Sequence, residues 1–321
     1  MWTWEAGIRQ FLAFDFHLVY IQFMLDTLIN VNGQIVSAAE AKVPVMDRGF
    51  MYGDSLYEVV RTYGGKPFGI EEHLERLEKS AQLCQMKLGQ TRHDYRNAML
   101  HTLEAYKKKN IHSDTSEYYV RLMVSRGSGK IGFGLECVET PTQYFVLVRP
   151  LTPPTEEQVA KGMHLQVSKR IRNDPRALDP AMKSGNYLNS LLAYLEAMSD
   201  PKHRDFEDAI LCNFDGHVTE GTTFNVGYIR RGILVTPPLD IGILDGITRR
   251  LLLETAREQG IETREVRFPK ERLYEADEVW VSSTIKEIFP VTRVDGKKIK
   301  TGKPGPITLK LRQALHQRLA R

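Results

Sequence analysis

The chain has 321 residues, 42% hydrophobic and 26% charged, the make-up of a globular protein with room for about two domains. Forty-four Lys and Arg against forty Asp and Glu leave a formal charge of +4, too small and too dispersed to select for nucleic acid. Three well-separated cysteines, Cys84, Cys137 and Cys212, have neither zinc nor redox spacing and fit a reducing, cytoplasmic setting with no metal site.

Residues 1–23 carry an apolar stretch interrupted by Asp15, His17 and Gln22. It is too short and too polar for a membrane span and is followed by no small-residue cleavage site. Met24 stands before the first strand-like pattern, so residues 1–23 are expected to be an extension outside the core.

From Leu28 to Val36 apolar residues alternate about Asn32-Gly33, a short hairpin signal, and a second turn falls at Gly64-Gly65. Between them, Leu56 to Tyr63 reads as a strand with Tyr57, Val59 and Arg61 on one face. An arginine beside a tyrosine there suits a carboxylate clamp; the plainer alternative is a solvated Arg61 and a core Tyr57. Ile70 to Leu83 is an amphipathic helix with Leu74, Leu77 and Ala81 inward. His73 and Arg76, three apart on it, can address one spot, Arg76 as a phosphate ligand or as an ordinary exposed arginine. A second helix runs from Thr91 to a solvated basic end, Lys107 to Lys109. Strands at Tyr118–Ser125 and Gln143–Arg149 flank a glycine-rich loop, Arg126 to Gly134. No helix follows that loop, so it is expected to be a mobile substrate-side loop rather than a phosphate cradle.

The proline-rich run Arg149 to Thr155 is the expected linker. After a strand near Met163 to Arg170 comes a lone Lys183, at a junction marked by Pro180 and Gly185. The stripe Leu188, Leu191, Leu192 and Leu195 follows at helical spacing, and burying it would hold the lysine against the first turn. Tyr187 lies four residues on, over the same pocket if the turn is helical. A desolvated lysine is a carbonyl nucleophile; an isolated one is more often a surface residue. Asp215-Gly216 predicts a hairpin turn, with Glu220 in a loop before the next strand. Gly246 opens a helix at Ile247 and Thr248 whose free amides suit an anion, though a simple capped helix is equally common. A strand from Glu278 ends in Ser282, Ser283 and Thr284, further donors for the same anion.

Asp47-Arg-Gly-Phe-Met-Tyr-Gly-Asp54, Glu72-His-Leu-Glu-Arg76, Lys183-Ser-Gly-Asn-Tyr-Leu-Asn189, Val218-Thr-Glu-Gly221, Gly246-Ile-Thr248 and Ser282-Ser-Thr-Ile-Lys-Glu-Ile288 occur in one order. Together they resemble the class IV aminotransferases, pyridoxal-phosphate enzymes of fold type IV, over residues 26–318. The resemblance implies an α/β (α+β) chain in two domains. A small N-terminal α/β sandwich-like domain would span 24–148, a linker 149–155, and a C-terminal, cofactor-binding pseudo-barrel 156–321. It further implies that Lys183 holds pyridoxal 5'-phosphate as a Schiff base and is the catalytic group, with Glu220 facing the pyridine nitrogen. Tyr187 would bond the phenolic oxygen and Leu244 pack on the ring, while Arg76, Ile247, Thr248 and Thr284 hold the phosphate. Tyr57, Arg61, Tyr119, Arg121, Lys130, Thr284 and Ile285 are the expected substrate contacts, in a homodimer or higher homo-oligomer.

Tyr119-Val-Arg121 is similar to a segment of the branched-chain aminotransferases, which favours L-leucine, isoleucine or valine with 2-oxoglutarate. Tyr57-Glu-Val-Val-Arg61 is instead shared with D-amino-acid aminotransferases, although their Arg-x-His trap is absent from Gly129 to Phe133. Activity on (R)-amines and the aminodeoxychorismate lyase reaction use the same cofactor residues and remain alternatives.

Overall fold

The computed structural model describes residues 27–109, 117–202 and 205–320; the expected extension, residues 1–23, lies outside them. Six strands form the first sheet: β1 (Leu28–Val31), β2 (Gln34–Ser37), β3 (Ser55–Tyr63), β4 (Lys66–Pro67), β5 (Glu117–Ser125) and β6 (Gln143–Leu151). They pair antiparallel in the order β2-β1-β6-β5-β3-β4. The β1–β2 turn holds Asn32 and Gly33 at φ 51° and 98°, left-handed values that asparagine and glycine tolerate.

β3 is buried on both faces. Leu56 and Val60 point into a core with Leu74 and Leu77 of the helix Ile70–Leu83 and Leu103 and Tyr106 of the helix Arg92–Lys109. Tyr57, Val59 and Arg61 lie on the opposite face, where cross-strand pairing sets Arg121 against Val59 and Tyr119 against Arg61. Chain pattern alone thus delivers four of the expected substrate residues to one side of one sheet.

The second sheet holds β7 (Met163–Ile171), β8 (Asp208–Cys212), β9 (Val218–Gly221), β10 (Asn225–Arg230), β11 (Ile233–Thr236), β12 (Thr263–Glu265), β13 (Glu278–Ser283), β14 (Glu287–Val294) and β15 (Lys297–Lys298). Its order is β12-β11-β10-β13-β14-β7-β8-β9, and β9 also pairs with β10. That extra pairing closes six strands into a ring, the barrel-like part expected from the sequence. Val226, Val281, Val291 and Leu165 fill its core. The helices Ile247–Glu258 and Pro306–Leu319 pack outside on Leu252, Leu253, Leu311 and Leu315. Between the sheets, β6 runs on to Leu151 and the next helix starts at Glu156 behind a Thr155–Gln158 capping box.

Three local expectations are corrected. The helix Leu188–Met198 does not bury its leucines: Leu188 is 66% exposed, and Leu191 and Leu195 are exposed too. It packs on β7 and β8 through Ser190, Ala193 and Ala197, whose small side chains let its backbone approach the sheet. The segment from Lys183 to Tyr187 is irregular rather than helical, with Ser184 bridged to Leu56 and Tyr187 as the helix N-cap. Glu220 sits within strand β9 rather than in a loop.

Candidate active site

A cavity between the two sheets is lined by Lys183, Tyr187, Glu220, Leu244, Ile247, Thr248 and Thr284, with Arg76 from the first domain. All the cofactor-binding residues expected from the sequence are therefore brought together. The lysine segment is sewn to the edge of β3. The Tyr57 amide donates to the Lys183 carbonyl at 3.0 Å, the Gly185 amide to the Ser55 carbonyl at 2.8 Å, and the Lys183 amide to Ser80 Oγ at 3.1 Å.

Lys183 Nζ lies 3.3 Å from the Tyr57 hydroxyl and 4.4 Å from that ring's centroid. Burial, followed by the nearby Arg76 guanidinium, lowers its pKa from 10.5 to about 8. That leaves roughly a tenth of the amine neutral and nucleophilic at pH 7, far more than at the ordinary lysine value. The Tyr57 and Tyr187 hydroxyls are hydrogen-bonded to each other, and burial raises the pKa of both phenols, so each stays protonated. Arg121 caps the far side: its guanidinium carbon is 4.1 Å from the Tyr57 ring centroid.

On another wall, Glu220 accepts from Arg172 Nη2 at 2.7 Å and Nε at 3.1 Å, and its second oxygen accepts from the Leu244 amide at 3.1 Å. The Leu244 carbonyl is in turn fixed by Asn225 Nδ2 at 3.0 Å. Arg172 and Asn225 were missed in the sequence. Arg172 directly follows the basic end of β7, indistinguishable in sequence from a solvated one, and its partner is 48 residues away.

A third wall is an anion cradle. The helix Ile247–Glu258 starts at Gly246 without any side-chain cap, which leaves its first amides free. A Cβ at Gly246 would meet Asn225 Oδ1 at 2.0 Å, so only glycine allows that approach. Thr248 and Thr284 add hydroxyls, and Ser282 Oγ, also in the lining, is buried without a partner. Arg76 is held by a residue that sequence reading passed over. Glu58, fully buried, takes Nε at 2.8 Å and Nη2 at 2.7 Å, while Asp245 O takes Nη1 at 2.9 Å. His73 joins the same carboxylate at 2.6 Å. Burial opposes ionisation of Glu58, but Arg76 and then His73 outweigh it and hold its pKa at about 2. The available signal was its place in the strand pattern: Glu58 alternates with Leu56 and Val60 on the face that builds the core.

The remaining expected residues are distributed differently. Arg61 does not face the cavity: Nη1 lies 3.0 Å from Glu287 Oε1 and donates to the Ile285 carbonyl at 3.0 Å. Tyr119 is half-buried with the Arg149 guanidinium 4.8 Å over its ring. Lys130 stands 75% exposed, paired with Glu139 at 3.2 Å. Its glycine-rich loop is tied down by a Gly129–Val138 bridge and by Arg48 Nη1 on the Gly132 carbonyl at 2.8 Å.

A ring carrying a phosphate, an aldehyde and a basic nitrogen fits this donor set: a desolvated amine, an uncapped helix start with hydroxyls, and a fixed carboxylate. The profile of the family described as amino-transferase class IV matches residues 55–294, and the chain belongs to that family. It is 33% identical over 293 residues to the branched-chain-amino-acid aminotransferase of Escherichia coli strain K12, covering 88% of this chain and 90% of that one. It is also 33% identical over 268 residues to the aminodeoxychorismate lyase of Bacillus subtilis strain 168, covering 84% and 87%. Among solved structures, the branched-chain aminotransferase of Thermoproteus uzoniensis with norvaline superposes with a TM-score of 0.80 at 29% identity, covering 91% of this chain and 94% of that one. Another branched-chain amino acid aminotransferase, solved with pyridoxamine 5'-phosphate, superposes with a TM-score of 0.81 at 29% identity, covering 92% and 95%.

Proposed function

We propose that the protein is a pyridoxal-phosphate-dependent transaminase that passes amino groups between branched-chain L-amino acids and 2-oxoglutarate. The observation that carries the reading is the buried Lys183 amine, 3.3 Å from the Tyr57 hydroxyl in a cavity that also holds a fixed carboxylate and an anion cradle. The relatives named as branched-chain aminotransferases and the Tyr119-Val120-Arg121 strand beside Tyr57 support the substrate class.

Bound pyridoxal phosphate would supply an electron-poor ring able to take up the electron pair left on a substrate α-carbon. Arg76 keeps two N–H groups beyond those spent on Glu58 and Asp245, and with the Ile247 and Thr248 amides and the Thr248 and Thr284 hydroxyls it would hold the phosphate. Glu220, stiffened by Arg172, would keep a proton on the ring nitrogen. Tyr187 would hold the ring's hydroxyl oxygen and Leu244 its face. Lys183 would hold the cofactor's carbonyl end, and its amine would move the proton at the substrate α-carbon; a pKa of about 8 suits an amine that must both accept and return that proton. Tyr57, Arg121 and Tyr119 line the substrate side. Among the described residues no hydrogen bond takes the Thr284 or Ile285 amides, which are free for a substrate carboxylate. Lys130 and its loop face outward, toward a second subunit in the homodimer we infer. The three free cysteines accord with a cytoplasmic setting.

The lyase that cleaves aminodeoxychorismate is the second reading, since its relative matches as well as the transaminase does. Holoenzyme mixed separately with L-leucine, D-alanine, an (R)-amine and aminodeoxychorismate decides. Loss of the yellow absorbance with L-leucine, restored by 2-oxoglutarate, is expected. Conversion by D-alanine but not L-leucine, or pyruvate release from aminodeoxychorismate alone, would refute the assignment.

A further inference from the structure

Behind the turn Thr284–Lys286, on the side away from the cavity, lies a charged cluster that the reaction does not use. At its centre is Glu287, only 2% exposed. Its backbone is left-handed at φ 56°, a conformation that an L-residue other than glycine, asparagine or aspartate seldom adopts. Two elements converge on it. From β3, Arg61 pairs with the carboxylate at 3.0 Å and, with the same nitrogen, takes the Ile285 carbonyl. Tyr63, next on that face, has its phenol pKa raised by burial and then by Glu287. From the helix Pro306–Leu319, His316 Nδ1 approaches the carboxylate at 3.1 Å, and Arg312 holds the Ile288 carbonyl at 3.0 Å.

Such an arrangement is costly to assemble: a buried ion pair, a strained backbone and an arginine from the other sheet, all spent on a three-residue turn. What the turn gains is a single shape. Arg61 fixes the Ile285 carbonyl outward, Ser283 Oγ takes the Lys286 amide at 3.2 Å, and the Thr284 and Ile285 amides are left unpaired among the described residues. We propose that Glu287 is a positioning residue for substrate binding: paired with Arg61, it locks the turn so that its two free amides meet the substrate carboxylate. The inference deepens the transaminase reading and rests on it for the identity of the site.

The test compares wild-type, Glu287→Gln and Glu287→Gly holoenzymes, using whichever amino donor the wild type converts fastest. A failure of the branched-chain assignment therefore leaves the comparison intact. Glutamine keeps the size and loses the charge; glycine suits the left-handed backbone and loses the clamp. For both, KM for the amino donor should rise about tenfold with kcat changed less than about threefold. The dissociation constant of that donor's unreactive deaminated carboxylic acid, measured by calorimetry, should rise in parallel, while pyridoxal phosphate affinity stays within about twofold. Unchanged KM in Glu287→Gly would mean that backbone shape alone suffices, and would overturn the proposal. Cofactor and carboxylate affinities falling together would also overturn it, since that marks general loss of structure.

Discussion

The amine that makes the site reactive should also make the empty enzyme less stable. The Lys183 amine is buried, and lowering its pKa from 10.5 to about 8 costs roughly 3 kcal/mol at ~1.4 kcal/mol per pH unit. The sign follows from the direction. A depressed pKa means the fold prefers the neutral amine, so the contribution is fully present above pH 10.5, is lost as pH falls from 10.5 to 8, and stays lost below. Lys183→Met removes the charge and keeps an unbranched side chain one atom shorter. For 321 residues, unfolding entropy near 2.1 cal/mol/K per residue makes ~3 kcal/mol worth about 4–5 °C in Tm. Scanning calorimetry of both apoenzymes should find the methionine variant melting higher at pH 7, with the gap closing toward pH 10.5. Methionine's own gain in apolar burial is independent of pH, so the closing of the gap is the diagnostic part. A variant that melts no higher at pH 7, or a gap that is constant with pH, would refute the reasoning.

Glu58→Gln should lower the apoenzyme's stability by about 3–5 kcal/mol at neutral pH, because Arg76 is left buried without its counter-charge. The Glu58 pKa is depressed from 4.5 to about 2, so the difference from wild type should be flat above pH 4.5 and shrink as pH falls toward 2. A loss below about 1 kcal/mol by denaturant titration would contradict that pairing. Thr248→Val keeps the shape of the helix start and removes one hydroxyl. Pyridoxal phosphate should then bind about ten- to a hundredfold more weakly, at roughly 1.5–3 kcal/mol for a hydrogen bond to a charged group, and unchanged affinity by equilibrium titration would remove Thr248 from the cradle.

Much of the cavity was legible because its parts depend on local rules. Gly246 before Ile247-Thr248 marks an uncapped helix start whatever surrounds it, and Asn32-Gly33 a turn. Strand alternation was enough to put Tyr57 and Arg61 on one face. What escaped depends on distant partners. Whether Arg61 points at a ligand or at Glu287 is decided by a turn on the other sheet. Arg172 is defined by a glutamate on β9, and Glu58 by a helix packed across β3. The leucine stripe of the helix Leu188–Met198 failed differently: periodicity identifies a face but not its direction. There the close approach allowed by Ser190, Ala193 and Ala197 outweighed leucine burial.

Because the Lys183 carbonyl is hydrogen-bonded to the Tyr57 amide and Gly185 to Ser55, the reactive amine stands on a seam. A chain cut in the proline-rich connector would yield one fragment with the phenol and guanidinium and another with the amine and carboxylate. Neither would own a complete set of ring contacts. Recovery of colour on mixing two such fragments would then serve as a reporter that they had reassembled, edge to edge, in the native register.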